Sequence, residues 1–162
     1  MTTELSKRAV ALLDACRAKG LKIATAESCT GGLVAALLTS IAGSSDVFDC
    51  GFVTYSNAAK QKMLGVPAGV LERRGAVSQH CAIAMAEGAI AHSSADIAVS
   101  ITGIAGPGGG SPTKPVGLVH FACATKGGTT KPQRENFGDI GRDEIRNASV
   151  LVALELLEAQ AL

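Results

Sequence analysis

The stretch Ala26-Glu27-Ser28-Cys29-Thr30-Gly31-Gly32 constrains the fold of this chain more than any other. It follows an apolar segment of strand length, Leu21 to Ala26, and leads into Leu33-Val34-Ala35-Ala36-Leu37-Leu38. An apolar run, a cluster of small and hydroxyl residues, and then good helix formers predict strand, tight turn and helix in that order. Two adjacent glycines allow left-handed backbone angles or the close approach of a ligand. Ser28 falls at the junction, where the unpaired amides and the positive dipole end of the following helix converge. A hydroxyl there has two uses. It can attack an electrophilic carbonyl while nearby amides hold the oxyanion. Alternatively, Ser28 or Thr30 simply caps the helix. The local pattern leaves both open.

The rest of the chain extends this alternation. Leu5, Ala9, Leu12, Leu13 and Cys16 recur at helical spacing before Gly20, a natural stop. The helix after the Ser28 turn is expected to end near Ala42-Gly43-Ser44-Ser45. Val47 to Ser56 predicts a second strand, with Asn57 capping a short helix from Ala58 to Leu64. Glu72-Arg73-Arg74-Gly75 is expected in a loop, and Ser78 caps an Ala-rich helix reaching about Ser93. Ala82, Ile83, Ala86, Ala89 and Ile90 form the packed face of that helix. Asp96 to Thr102 predicts a buried strand, and Gly103 to Pro115 is too rich in glycine and proline to form an element. Gly117 to Thr125 and Lys131 to Phe137 read as a hairpin, followed by a helix from Arg142 to about Gln160. Its face carries Ile145, Ser149, Val152 and Leu156. Strand–helix alternation ending in a hairpin implies an α/β layered domain with a mixed sheet, one domain spanning residues 1–162.

Composition excludes several classes of function. A net charge of +1 gives no electrostatic footprint for nucleic acid or an anionic membrane, and no Trp and one Tyr leave little for base stacking. No segment reaches membrane-spanning length without polar breaks, and the first helix is amphipathic, unlike a signal peptide. Five scattered cysteines without a Cys-x-x-Cys argue against a disulfide framework and a zinc site. A reducing compartment, the cytoplasm, is therefore expected. His80, His92 and His120 show no metal-ligand spacing.

Three segments sit where strands end: the Ser28 turn, Tyr55-Ser56-Asn57-Ala58-Ala59-Lys60, and the glycine-rich loop after Thr102. Open α/β sheets collect ligands outside the carboxyl ends of their strands. Lys60 can take a proton from Ser28 only as a neutral amine, which needs desolvation or neighbouring cations. Arg142 and Arg146, one helical turn apart, could supply that cationic surrounding and hold an anionic substrate group. Equally, Lys60 and the arginines fit solvated helix surfaces, and Tyr55 fits the core. The glycine loop matches neither a Walker motif nor the dinucleotide fingerprint. Cys29 is a rival nucleophile, since helix N-termini favour thiolates.

Taken in order, several stretches resemble the C-terminal domain family of the competence/damage-inducible protein CinA, which includes nicotinamide-nucleotide amidases. They are Ala26 to Gly32, Gly51 to Asn57 with Lys60, Gly75 to Ser78, Met85 to Gly88, Thr102 to Pro107, and Lys114 to Gly117. The resemblance covers about residue 5 to about residue 158. It implies a three-layer α/β/α sandwich with a mixed, mostly parallel five-stranded sheet. It also implies deamidation of nicotinamide mononucleotide to nicotinate mononucleotide and ammonia, with no metal or organic cofactor. By position, Ser28 would be the nucleophile, Lys60 its general base and Tyr55 an auxiliary proton-transfer or orienting group. The amides of Cys29, Thr30 and Gly31 would stabilise the oxyanion. Thr102, Gly103, Ile104, Ala105 and Gly106 would line the nucleotide site with Arg142 or Arg146 nearby. The chain departs from the family at Phe137-Gly-Asp-Ile-Gly-Arg142, where Gly-Asp-Arg is usual. It is similar to the stand-alone amidase form, so the pyrophosphatase activity of a larger N-terminal domain in other members does not transfer.

The expected partner is thus a small pyridine nucleotide, with a homodimer suggested by the family. The competing expectation is a non-catalytic nucleotide-binding or DNA-damage-associated interaction module. The joint presence of Ser28, Tyr55 and Lys60 favours the enzyme, because a binding module needs none of them.

Overall fold

The computed structural model describes residues 2–162. In chain order the elements are α1 (Thr3–Lys19), β1 (Ile23–Glu27), α2 (Leu33–Thr39), β2 (Phe48–Val53), α3 (Asn57–Leu64), α4 (Ala68–Arg74), α5 (Gln79–Ala91), β3 (Ile97–Gly103), β4 (Leu118–Thr125), β5 (Lys131–Asn136) and α6 (Arg142–Ala161). The strands form one five-stranded sheet ordered β2-β1-β3-β4-β5. β1 pairs in parallel with β2 and β3, while β4 runs antiparallel to both β3 and β5. Four strands therefore point one way and β4 alone opposes them. The carboxyl ends of β1, β2 and β3 lie together at one end of the sheet; the chain runs from β1 to β2 on one side and then crosses to β3 on the other. A crevice opens at such a switch point.

Helices cover both faces, giving the three layers. On one side α1, α2 and α6 bury Leu12, Leu13, Leu37, Leu38, Leu154 and Leu157 against Ile97, Val99, Ile101 and Phe121. On the other, α3, α4 and α5 pack on Ala24, Ala26, Ala98, Ala122 and Ala124. The alternation along β3 sorts these residues: odd positions face the large side chains, even positions face α5. Ser100 is on the α5 side and its hydroxyl donates to the Ala82 carbonyl at 2.6 Å. Gly88 allows α3 and α5 to touch, since a Cβ there would lie 2.0 Å from the Leu64 carbonyl oxygen.

Local chemistry sets the boundaries, with some departures from expectation. Thr2 caps α1 and Gly20 ends it in a left-handed conformation at φ 67°. Ser78 caps α5 by accepting from the Cys81 amide at 3.1 Å. Ser56, not Asn57, caps α3, because its extended backbone lets Oγ reach the Ala59 amide at 3.0 Å while Asn57 is already helical. α2 ends at Thr39, where Thr39 and Ser40 hydroxyls donate back to the Ala35 and Leu37 carbonyls. The segment expected as a loop before Gly75 is helix α4. Leu71 is its one buried residue, so its helical period is invisible in the sequence.

Candidate active site

The Ser28 turn grows directly out of β1. The Ser28 amide donates to the Ile101 carbonyl at 2.9 Å, carrying the β1–β3 pairing one residue past the strand. Gly31 then donates to the Ser28 carbonyl at 3.0 Å, closing a tight turn. Gly31 and Gly32 have φ of 59° and 99°, left-handed values that a side chain would strain.

Neither Ser28 nor Thr30 caps α2, which overturns that alternative. The residue at the cap position is Gly32, which has no side chain to give. Glu27 takes its place: fully buried, its carboxylate accepts the Val34 amide at 3.0 Å and the Ala35 amide at 3.1 Å. A carboxylate at a helix N-terminus is favoured by both the free amides and the dipole. Glu27 was missed in the sequence because it belongs to the strand, ahead of the usual cap position. Thr30 is buried with its hydroxyl unpartnered.

Ser28 is thereby free to face Lys60. The Lys60 Nζ lies 3.0 Å from Ser28 Oγ and donates to the Thr54 carbonyl at 2.8 Å. Lys60 is only 1% exposed, so its stem is enclosed between α3, α5 and the end of β2. Desolvation by this burial holds the amine below its ordinary value, against the weaker opposing influence of the Cys81 and Cys29 thiols. The expectation that Arg142 and Arg146 perform this depression is not met; burial does. Cys29 is also buried, and burial pushes its thiol up to about 11. A thiol so raised is protonated at neutral pH, which counts against Cys29 as the rival nucleophile.

A pocket of about 270 Å³ opens above this pair. Ser28, Cys29, Tyr55, Lys60, Arg142 and the strip Thr102–Gly106 all line it. Asn57, Ala76, Val77, Gly108 and Gly109 complete the wall. Ala76 and Val77 belong to the Gly75–Ser78 stretch, whose chemistry-poor side chains gave no signal of a role. Thr102 is tied to this stretch through a 2.9 Å hydrogen bond to the Ala76 carbonyl.

Thr30, Gly31 and Arg146, expected at the substrate, do not line this pocket. Arg146 donates to the carbonyls of Cys29 at 3.1 Å and Thr30 at 3.4 Å, bracing the turn from beneath. Arg142 occupies the rim: it donates to the Gly106 carbonyl at 2.7 Å and to the Tyr55 hydroxyl at 3.0 Å. Tyr55 is 63% exposed, which excludes the core alternative. The Gly31 amide is spent within the turn and Thr30 is fully buried away from the pocket, so of the three amides expected to serve an oxyanion that of Cys29 belongs to a pocket-lining residue. Among the described residues no three His, Cys, Asp or Glu side chains gather as a metal site. No helix among them is long and apolar enough to cross a membrane.

The model of the CinA C-terminal domain matches residues 5–161. The chain belongs to the CinA C-terminal domain family. Among its relatives is the nicotinamide-nucleotide amidohydrolase PncC of Escherichia coli K12, 50% identical over 161 residues, covering 99% of this chain and 96% of that protein. The crystal structure of the competence/damage inducible protein CihA from Agrobacterium tumefaciens superimposes with a TM-score of 0.96 at 52% identity, covering 98% of this chain and 96% of that one. Other CinA relatives are longer. A CinA-like protein of Anaeromyxobacter dehalogenans strain 2CP-C is 54% identical over 140 residues, which are 86% of this chain but 34% of that protein. The chain thus spans about a third of such relatives.

Proposed function

We propose that residues 1–162 act as one nicotinamide-nucleotide amidohydrolase domain, converting nicotinamide mononucleotide and water to nicotinate mononucleotide and ammonia. The observation that carries the reading is the 3.0 Å approach of a buried, desolvated Lys60 amine to Ser28 Oγ at the floor of a pocket. A neutral amine donates to Thr54 and still offers its lone pair to the Ser28 hydroxyl proton. Ser28 attacks the carboxamide carbon as Lys60 takes that proton, and the Cys29 amide, on the pocket wall, receives the developing oxyanion. Lys60 returns the proton to the departing nitrogen, ammonia leaves, and water cleaves the acyl-serine ester with Lys60 again as base. The pyridinium charge of the substrate makes its carboxamide more electrophilic.

The rim supports the nucleotide end of the substrate. Arg142 retains donors beyond those given to Gly106 and Tyr55, suited to a phosphate. Tyr55 orients that guanidinium in this reading, and Arg146 positions the turn without reaching the substrate. A cytoplasmic location, which rests on the five free cysteines, and a homodimer, which rests on the family, are further parts of the proposal.

The test is ammonia release from a panel of nicotinamide mononucleotide, the nucleoside and free nicotinamide. The mononucleotide is expected to turn over fastest, and Ser28→Ala and Lys60→Ala to lose at least ~10³-fold while remaining folded. Full activity in Ser28→Ala would overturn the nucleophile; tight binding of the nucleotide without turnover would restore the non-catalytic module.

A further inference from the structure

A second concavity lies on the far side of the Gly75–Ser78 stretch, and the amidase chemistry makes no use of it. Its volume is about 430 Å³, and Arg73, Arg74, His80, Lys114, His120 and Arg134 all line it. These six side chains come from α4, α5, the glycine-rich loop, β4 and β5. The register explains the convergence: His120 pairs with Arg134 across the β4–β5 ladder, so both point to one face. Lys114 is anchored by a 2.6 Å hydrogen bond from its Nζ to the Arg74 carbonyl, which ties the loop to the end of α4.

No carboxylate lines this groove. Among the described residues the ion pairs involve Arg8 and Arg17 only, so Arg73, Arg74, Lys114 and Arg134 have no counter-ion. Four permanent cations around one hollow, in a chain of net charge +1, create a local field that an anion would relieve. His120 senses it: burial, then Arg134 and Lys114, hold its imidazole below the ordinary value.

We propose that this groove binds a small polyphosphate group, a chain of two or more phosphoryl units, at a site separate from the amidase pocket. Charge matching sets the class. One phosphate carries at most about two negative charges at neutral pH, so four fixed cations need more than one phosphoryl unit. Guanidinium forks suit the paired oxygens of such a chain. Apart from two histidines the lining offers no aromatic ring on which to stack bases, which favours a compact anion over a nucleic acid strand. Inorganic tripolyphosphate and a nucleoside triphosphate share this chemistry.

Isothermal titration calorimetry with tripolyphosphate and with ATP, at low and then raised ionic strength, tests the proposal without reference to amidase turnover. Saturable binding of one tripolyphosphate per chain is expected, weakening steeply with salt. Arg74→Ala and Arg134→Ala should each weaken it about tenfold or more, and Arg134→Lys should recover part of the loss. Lys7→Ala, on the opposite helical layer, should change nothing. Circular dichroism of each variant separates loss of binding from loss of fold. Equal affinity for both ligands supports recognition of the phosphate chain alone; tighter ATP binding with the same variant dependence supports a nucleotide source. Four results would overturn the proposal. They are the absence of saturable heat, binding unchanged in the Arg74→Ala/Arg134→Ala double variant, loss confined to Arg142→Ala (which would place the anion in the amidase pocket), and DNA-oligonucleotide binding through these residues that tripolyphosphate does not displace.

Discussion

The two faces of the sheet solve different problems. Under α1, α2 and α6 the core is leucine, isoleucine, valine and Phe121, large side chains that remove much apolar area from water. Under α5 it is mostly alanine, on both sheet and helix, with buried polar groups at Lys60, Ser100 and Thr102. Small side chains contribute less burial, yet they let α5 settle close to the sheet. α3 then meets α5 at Gly88 and delivers Lys60 to Ser28. One face supplies stability, and the other gives up stability for position.

Substituting the buried amine strains this contrast most. Lys60→Met should lose at least ~10³-fold in ammonia release, while its melting temperature rises by an amount corresponding to about 1–2 kcal/mol. Calorimetric melting beside the activity assay checks both. A loss of activity and stability together would erase the difference between the faces.

On the other face, Leu154→Ala should cost about 2–5 kcal/mol in denaturant unfolding. The folded fraction should keep its kcat/KM, since Leu154 lies about three turns along α6 from Arg142 and does not line the pocket.

How much of this was legible in the sequence depends on the range of the contact. The Ser28 turn was legible because Gly31 and Gly32 declare left-handed backbone within a few residues. The approach of Lys60 was legible only through the family resemblance, because it depends on α3 meeting α5 at Gly88, a contact between helices without sequence periodicity. Arg142 and Arg146 could not be separated for a related reason. One helical turn decides whether a guanidinium reaches the rim or the underside of a turn more than a hundred residues earlier. Glu27 looked like an ordinary strand residue until the missing cap at Gly32 showed where its carboxylate goes.

Gly88→Ala sharpens the comparison from the small-residue side. Its Cβ would collide with the Leu64 carbonyl, so α3 must shift. A cost of about 1–3 kcal/mol is expected, with a fall in kcat of about tenfold or more as Lys60 moves away from Ser28. Unfolding curves and steady-state kinetics measure the two. The smallest effect belongs to Glu27→Gln, which keeps one acceptor for the α2 amides and loses the charge. About 1–2 kcal/mol should be lost in chemical denaturation, mainly through the weakened helix start.

The central claim is that burial makes Lys60 a neutral base for Ser28, and the pH dependence of kcat/KM for ammonia release tests it most directly. Only the neutral amine accepts the serine proton, so the rate must rise with pH through the depressed value. The unfolded chain holds that proton more readily, so stability should also rise with pH between the depressed value and the ordinary 10.5, a slope that Lys60→Met should remove. Expected is an ascending limb centred below 10.5 in the unsubstituted protein. A profile that is flat, or whose limb sits at 10.5 as for a solvated lysine, would contradict the account.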